Sequence, residues 1–249
     1  MKSLFSHPLQ EAKPILVVRA VFFYIGLGII SIVASILLVA TSPLVKRRFR
    51  FKFVSYCNRA VLQWMKIMCG VTFEIKGLHN IPKNQSLVVA CNHQSDWETF
   101  YLLTMGLPVS TVLKRELLYI PFFGWALAML NPIAIDRKRK TNALKQLSQQ
   151  GCERLNAGIS VVIFPEGTRC PPGKLGTCTK GAAMLAHQAG VPILPIVQNS
   201  GRLSPPHQWL KYPGKVEVRI GQPIDANAPT KEMHAQMVAW MTDNLAEIS

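Results

Sequence analysis

Residues 160–169 read SVVIFPEGTR, and in this stretch a run of strand-forming residues ends abruptly in a polar turn. Valine and isoleucine favour strands, whereas Pro165 and Gly167 favour a turn. The same pattern occurs earlier, where the apolar run 87–91 leads into the polar residues NHQSDWE at 92–98. Polar groups at the end of a strand are often presented for catalysis or binding, so both turns are candidate sites.

Outward from these two runs, short strand-like runs alternate with helical stretches. The predicted strands are 72–75, 86–91, 111–113, 133–135, 160–164, 193–197 and 216–220. The predicted helices are 141–156, 180–189 and 231–247. Strands that alternate with helices predict a layered α/β domain over 71–249, with a mixed central sheet flanked by helices.

The region before residue 71 has the composition of a membrane anchor. Apolar residues make up 49% of the chain and charged residues only 16%, against about 25% charged in typical soluble domains. Residues 20–40 contain no charged side chain, and about 20 apolar residues suffice to span a bilayer as a helix. We therefore predict a membrane-anchoring segment over 1–70.

Two membrane arrangements fit this segment. Five cations follow the apolar run directly, which favours a cytoplasmic position for that side: Lys46, Arg47, Arg48, Arg50 and Lys52. Residues 51–70 form a second, amphipathic helical pattern that could rest at the lipid interface. Either one helix spans the bilayer, or a two-helix motif dips into one leaflet.

The net charge of +15, from 28 Lys and Arg against 13 Asp and Glu, indicates an anionic partner. Nucleic acid, an anionic lipid surface and a phosphorylated substrate all qualify, and a merely solvated basic surface is the alternative. No RNA-binding or zinc-finger pattern is present, and the apolar N-terminal region favours anionic membrane lipids over nucleic acid. The six cysteines include no C-x-x-C pair, which indicates reduced thiols, with no metal site.

The turn at 92–98 contains a candidate acid–base pair, His93 and Glu98. An imidazole can accept a proton near neutral pH, and a carboxylate on its other nitrogen would fix its tautomer. Residues five apart lie about 140° apart on one helix, so His93 must precede the helix and Glu98 must lie in its first turn. Asp96 is the rival partner. Alternatively, Ser95 and Glu98 form only a helix-capping box.

These motifs together resemble those of the glycerolipid acyltransferases, most closely the bacterial 1-acyl-sn-glycerol-3-phosphate acyltransferases. The pattern joins His93 and Glu98 to the later FPEGTR stretch at 164–169. Two further blocks agree: KREL at 114–117 with Pro121, Gly124 and Trp125, and VPILPI at 191–196. Asp136-Arg137 is also typical of the family. The resemblance covers about residues 72–198, and it departs from the family at Glu98, where Asp is usual.

The resemblance implies transfer of an acyl chain from acyl-CoA or acyl carrier protein to the sn-2 hydroxyl of lysophosphatidate. His93 would be the general base and Glu98 its support, while Arg169 and Lys114 would bind the substrate phosphate. Glu166, Gly167 and Thr168 would shape the acceptor pocket. No cofactor beyond the acyl donor is implied.

Direct transfer without an acyl-enzyme is favoured, because no G-x-S-x-G motif occurs. Cys170 is the one candidate thiol nucleophile. The expected location is the bacterial inner membrane, with the catalytic domain on the cytoplasmic side. Two alternatives stay open: an acyltransferase for another lysolipid such as lyso-ornithine lipid, and a non-catalytic membrane lipid-binding protein.

Overall fold

Strands and helices alternate in the computed structural model, which describes residues 13–135 and 140–249. The helices are α1 (Lys13–Thr41), α2 (Arg47–Cys69), α3 (Trp97–Leu102), α4 (Phe123–Ala128), α5 (Lys140–Asn156), α6 (Gly181–Ala189) and α7 (Thr230–Ile248). The strands are β1 (Val71–Lys76), β2 (Val88–Cys91), β3 (Val109–Lys114), β4 (Ile133–Ile135), β5 (Ser160–Ile163), β6 (Ile193–Gln198) and β7 (Gly214–Ile220). The motif Asp136-Arg137 lies outside the described residues.

One seven-stranded sheet joins these strands in the order β1-β7-β6-β2-β5-β3-β4. The five strands β6, β2, β5, β3 and β4 run parallel, β7 is antiparallel to β6, and β1 is parallel to β7. The predicted mixed sheet flanked by helices is therefore confirmed. Because β2, β3, β5 and β6 point the same way, the turns that follow them meet at one edge of the sheet.

Helices cover both faces of the sheet, and alternate residues of β2 show the two layers. Val89 belongs to a buried cluster that includes Trp97 of α3 and residues of α1 and α2. Val88 belongs to a second buried cluster that includes Met233 of α7 and residues of α5 and α6. Period-two alternation of side chains in a strand explains this division. The central strands are buried on both faces, as in parallel sheets generally.

Helices α1 and α2 form an antiparallel pair. Within residues 13–135 and 140–249, α1 alone is long and apolar enough to cross a membrane, by length and composition. The Trp64 indole donates a hydrogen bond to the carbonyl of Phe23, at 3.2 Å. A Cβ at Gly26 would lie 2.0 Å from the Trp64 indole nitrogen, so only glycine permits this close packing.

Helix α1 packs against the α/β domain at two separate places. Phe23 is fully buried in the cluster beneath the sheet. Leu38 packs in a third cluster with Ala126 of α4 and Ile159, just before β5. Fifteen residues separate these two anchor points, which corresponds to about 22 Å at 1.5 Å per residue. Helix α1 thus lies along the domain, and the division of the chain at residue 70 stays a prediction.

Candidate active site

The turn after β2 brings His93 and Glu98 into direct contact. β2 ends at Cys91 and α3 begins at Trp97, so His93 precedes the helix and Glu98 lies in its first turn. The His93 ring nitrogen Nδ1 lies 2.7 Å from the Glu98 Oε1 atom. Because a carboxylate oxygen only accepts hydrogen bonds, Nδ1 carries the proton, and Nε2 is left to accept one. This is the arrangement a general base requires.

Glu98 is fully buried, and each carboxylate oxygen is supplied with donors. Besides the His93 ring, Oε1 accepts hydrogen bonds from the backbone N–H groups of Gln94 and Ser95, both at 2.8 Å. Oε2 accepts from the hydroxyls of Ser95 at 2.6 Å and Ser200 at 2.9 Å. The bond from the Ser95 N–H is the one a capping box would make. The Glu98 carboxylate therefore caps the start of α3 and also pairs with the His93 imidazole.

Asp96, the rival partner for His93, is engaged elsewhere. Its Oδ2 atom lies 2.9 Å from the Lys211 ammonium, and its Oδ1 atom accepts a hydrogen bond from the Ser204 hydroxyl at 2.8 Å. Burial opposes ionisation of Asp96, but the Lys211 charge and the Ser204 hydroxyl outweigh burial and hold the Asp96 pKa below its ordinary value. The Lys211 ammonium also lies 5.7 Å from the centre of the Tyr24 ring of α1.

The turn after β5 fixes the other side of His93. The Phe164 ring stacks on the imidazole with centroids 4.1 Å apart. The Glu166 carboxylate accepts the backbone N–H of His93 at 2.6 Å and that of Gly176 at 2.7 Å. The backbone N–H of Cys170 in turn donates to the His93 carbonyl at 2.8 Å. The turn after β2 and the turn after β5 are therefore joined by backbone hydrogen bonds at His93 and by the stacking of Phe164 on its ring.

The predicted acceptor-site residues occupy this second turn. Gly167 has φ of +71°, a left-handed conformation that side chains other than glycine rarely adopt. Thr168 and Arg169 are exposed. Arg169 borders a cleft of about 160 Å³ together with Ser95 and Asp96. An exposed guanidinium beside the turn that holds His93 is placed to bind an anion.

Lys114 and Glu166 lie in different settings within the candidate site. Lys114 is exposed at the C-terminal end of β3, which is the same sheet edge that holds His93, because β2, β5 and β3 are parallel. Glu166 lies beneath the turn, with both carboxylate oxygens on backbone amides. Glu166 therefore holds the shape of this loop, and its predicted part in an acceptor pocket stays a prediction.

Cys170 has the properties of a neutral thiol. Burial, followed by the nearby Glu166 carboxylate, raises the pKa of Cys170 to about 11. A reactive cysteine needs the opposite shift, since the thiolate is the nucleophile. The environment of Cys170 therefore does not favour a covalent acyl-enzyme.

Sequence reasoning missed the turn after β6. Ser200 is fully buried and donates to Glu98. The neighbouring Gln198 exchanges backbone hydrogen bonds with the Asn92 side chain, at 2.9 Å in each direction. The signal was present in the sequence, because Gln198, Asn199 and Ser200 follow an apolar strand just as His93 and Glu166 do.

Comparison with known proteins gives one consistent result. The acyltransferase family model matches residues 72–199. A "1-acyl-sn-glycerol-3-phosphate acyltransferase" of Pseudomonas aeruginosa is 44% identical over 93% of this chain and 92% of its own length. A Saccharomyces cerevisiae protein of the same name is 30% identical over 96% of this chain and 77% of its own. A Brassica napus chloroplastic form is 31% identical, over 88% of this chain but 64% of its own.

A solved structure agrees with the sequence relatives. The crystal structure of the 1-acyl-sn-glycerophosphate acyltransferase PlsC from Thermotoga maritima superposes with a TM-score of 0.80 at 26% identity, over 93% of this chain and 95% of that one. The likeness includes the fold and nearly the full length of both chains. This chain therefore belongs to the glycerolipid acyltransferase family, among the 1-acyl-sn-glycerol-3-phosphate acyltransferases.

Proposed function

We propose that this protein transfers a fatty acyl chain from an acyl thioester to the sn-2 hydroxyl of 1-acyl-glycerol-3-phosphate, giving phosphatidate for phospholipid synthesis. The observation that carries the proposal is the His93–Glu98 pair, 2.7 Å apart, with Arg169 exposed in the adjoining turn. A base and an anion-binding group at one sheet edge suit an acceptor that carries both a hydroxyl and a phosphate.

The geometry supports direct transfer. Nε2 of His93 takes the proton as the acceptor oxygen attacks the thioester carbonyl carbon. The buried Glu98 carboxylate stabilises the imidazolium that forms. The tetrahedral intermediate then collapses, the carbon–sulfur bond breaks, and His93 returns the proton to the departing thiolate. Neither proton nor electron is left over, and the reaction needs no metal, cofactor or acyl-enzyme.

The acceptor phosphate binds Arg169, with Lys114 as a second cation at the same sheet edge. The Gly167 turn and Thr168 line the acceptor side, while Glu166 holds that turn in place through His93 and Gly176. The donor is acyl-CoA or acyl carrier protein, since both present the same thioester.

The protein acts at the bacterial inner membrane, with the catalytic domain on the cytoplasmic side. Helix α1 contacts the domain at both Phe23 and Leu38, about 22 Å apart. A helix crossing a hydrocarbon core of about 30 Å would carry these contacts into the lipid. The α1–α2 pair therefore lies in one leaflet, where its cations meet anionic headgroups.

The test is an assay with purified protein in detergent, 1-oleoyl-lysophosphatidate and either oleoyl-CoA or oleoyl-acyl carrier protein. We expect phosphatidate and stoichiometric thiol release, with a loss of at least ~10²-fold in His93→Ala. Cys170→Ala is the matched control, and it should keep the wild-type rate if transfer is direct.

The outcomes separate the alternative functions. No product from lysophosphatidate, but product from a phosphate-free acceptor such as lyso-ornithine lipid, would show that the acceptor is another lysolipid. Lipid binding without transfer to any acceptor would indicate a non-catalytic protein. Full activity in His93→Ala would refute the general-base mechanism itself.

A further inference from the structure

A patch of large apolar side chains is exposed on the catalytic domain, outside the α1–α2 pair. It lies on the segment made of a 3₁₀ turn, Arg115–Tyr119, and helix α4. We call it the 117–125 patch, and its members are Leu117, Tyr119, Ile120, Phe122, Phe123 and Trp125. All six are exposed, and Tyr119 reaches 68%. The six lie within nine consecutive residues, and an exposed apolar patch marks an interaction site.

The patch adjoins the anchor helix. Ala126 of α4 is buried in the cluster that holds Leu38 of α1 and Phe51 of α2. The segment therefore lies beside the C-terminal half of α1, whose exposed side chains there include Ile32, Ile36 and Leu37. The apolar surface of the anchor thus continues onto the catalytic domain.

The charges around the patch favour lipid over a protein partner. Phe51 lies within the run of cations at 46–52, and Phe51 and α4 share one buried cluster. Lys114 and Arg115 precede the patch on the chain and are exposed. Glu116 is exposed beside them, so residues 114–116 carry two cations and one carboxylate. With the five cations at 46–52 the surroundings of the patch are net positive, and apolar and aromatic side chains beside such a charge match the acyl and headgroup layers of an anionic leaflet.

The backbone holds the patch in an unusual conformation. Phe122 has φ of +59°, a region that bulky residues rarely occupy. The Phe122 side chain is half-exposed and contacts the Trp125 ring, with centroids 5.2 Å apart. Strain of this kind clusters at functional sites, and here the strained residue forms part of the exposed aromatic surface.

We infer that the 117–125 patch inserts into the same leaflet as α1, and that it sets Lys114 at the height of the lipid phosphates. The chain from Lys114 to Leu117 is only three residues, so insertion of the patch confines Lys114 to the headgroup layer. The inference rests on the proposed membrane attachment and deepens it, because it makes the catalytic domain itself a membrane-contacting surface.

Tryptophan quenching tests the insertion directly. The full-length protein is added to vesicles of phosphatidylglycerol and phosphatidylcholine brominated on its acyl chains, and the quenched fraction of tryptophan emission is measured. Trp125→Phe should lower this fraction, because it removes a quenched emitter. Trp240→Phe is the matched control: Trp240 is on α7, against the opposite face of the sheet, and its loss should raise the quenched fraction.

Two outcomes would count against the inference or its premise, and they are distinguishable. If the protein floats with the vesicles but Trp125→Phe leaves the quenched fraction unchanged or raised, the patch is not inserted. If the protein does not float with vesicles at all, membrane attachment itself is wrong. Neither measurement needs the enzyme to turn over.

A charge-insertion variant gives a second readout. Tyr119→Asp with Phe122→Asp should lower the rate on lysophosphatidate in vesicles about tenfold, while a short-chain, monomeric lysophosphatidate is used at nearly the wild-type rate. The control is Leu144→Asp with Met184→Asp, two side chains exposed by 42% and 43% on α5 and α6. Equal losses on both substrates, or no loss, would overturn the inference.

Discussion

At the residue scale, we predict that Ser200 positions the proposed catalytic pair, His93 and Glu98. Its hydroxyl donates to Glu98 Oε2 at 2.9 Å and lies 2.6 Å from the Ser95 hydroxyl. Ser200→Ala removes one of the donors to a buried carboxylate, and a hydrogen bond to a charged group contributes roughly 1.5–3 kcal/mol. We expect kcat to fall about tenfold, with the KM for lysophosphatidate unchanged, measured by steady-state kinetics.

Ser204→Ala is the control for Ser200. Ser204 is equally buried and only four residues away, but its hydroxyl donates to Asp96. A purely structural effect of truncating a buried serine would lower kcat in both variants alike. A fall confined to Ser200→Ala would assign the effect to Glu98, whereas equal falls would remove Ser200 from the positioning role.

Glu166 is a second residue that we predict to position His93. Its two oxygens accept the backbone N–H groups of His93 and Gly176. In Glu166→Gln, an amide N–H group must face one of these N–H donors. That leaves a partly buried donor unpaired, which costs about 1 kcal/mol, the low end of the range for a buried donor. We expect kcat to fall several-fold with little change in the KM for lysophosphatidate.

A change in KM without a change in kcat would mean that Glu166 contacts the substrate directly. A direct contact with the acceptor predicts a raised KM for lysophosphatidate with kcat preserved. Glu153→Gln is the surface control, because Glu153 is an exposed carboxylate on α5 that pairs with its neighbour Arg154. That variant should change neither kinetic constant.

Sequence reasoning could place His93 and Glu98 because they lie within six residues of each other, so local geometry relates them. Ser200 is 102 residues from Glu98, and only the pairing of β6 beside β2 brings them together. A polar residue at a strand end can be predicted to lie near a site. Which residue it contacts there depends on which strands are neighbours in the sheet, and local sequence does not give that order.

At the element scale, the ion pair between Asp96 and Lys211 connects the start of α3 to the loop before β7. The Asp96 pKa is held below its ordinary value, so the pair stabilises the folded state above the unfolded-state pKa of about 3.9. That stability is lost as the pH falls through the folded-state pKa. At neutral pH, Asp96→Asn leaves Lys211 buried without a counter-charge. We expect this to lower the free energy of unfolding by roughly 3 kcal/mol.

Thermal unfolding in detergent measures this contribution. The melting temperature of Asp96→Asn should lie below that of the wild type at pH 7, and the gap should narrow as the pH falls below about 4. Glu74→Gln is the comparison, since Glu74 and Lys215 form an exposed pair and should show a much smaller gap. A gap for Asp96→Asn that does not change with pH would mean that the charge of Asp96 is not what stabilises the fold.

The elements themselves were largely predictable from pattern. All seven predicted strands occur, with bounds that shift by at most two residues, and the three predicted helices shift by one. Helix α4 was missed because six residues are too few to show a helical period. The order of strands could not be predicted, because β1 pairs with β7 across about 140 residues, and no local pattern encodes such a pairing.

At the scale of the whole molecule, the layers explain how the site meets its lipid substrate. Helices α1 and α2 cover the same face of the sheet as α3, whose first turn holds Glu98. Lys211 reaches from the site to the Tyr24 ring of α1. Tyr24 of α1 also lines the cleft that Arg169 borders, and we therefore expect an acceptor in the leaflet to reach His93 without leaving the membrane.

This arrangement predicts the sidedness of the N-terminus. An α1–α2 pair held in one leaflet keeps the N-terminus on the cytoplasmic side, with the rest of the chain, whereas a spanning helix places the N-terminus on the opposite side. A protease-cleavable tag before Met1 should be cut in inside-out bacterial membrane vesicles and protected in spheroplasts, just as a tag after Ser249 should be. Cleavage of the N-terminal tag in spheroplasts, with the C-terminal tag protected, would show that α1 spans the bilayer. The contacts of Phe23 and Leu38 with the domain could then not both persist in the membrane, because one of them would lie near the far leaflet.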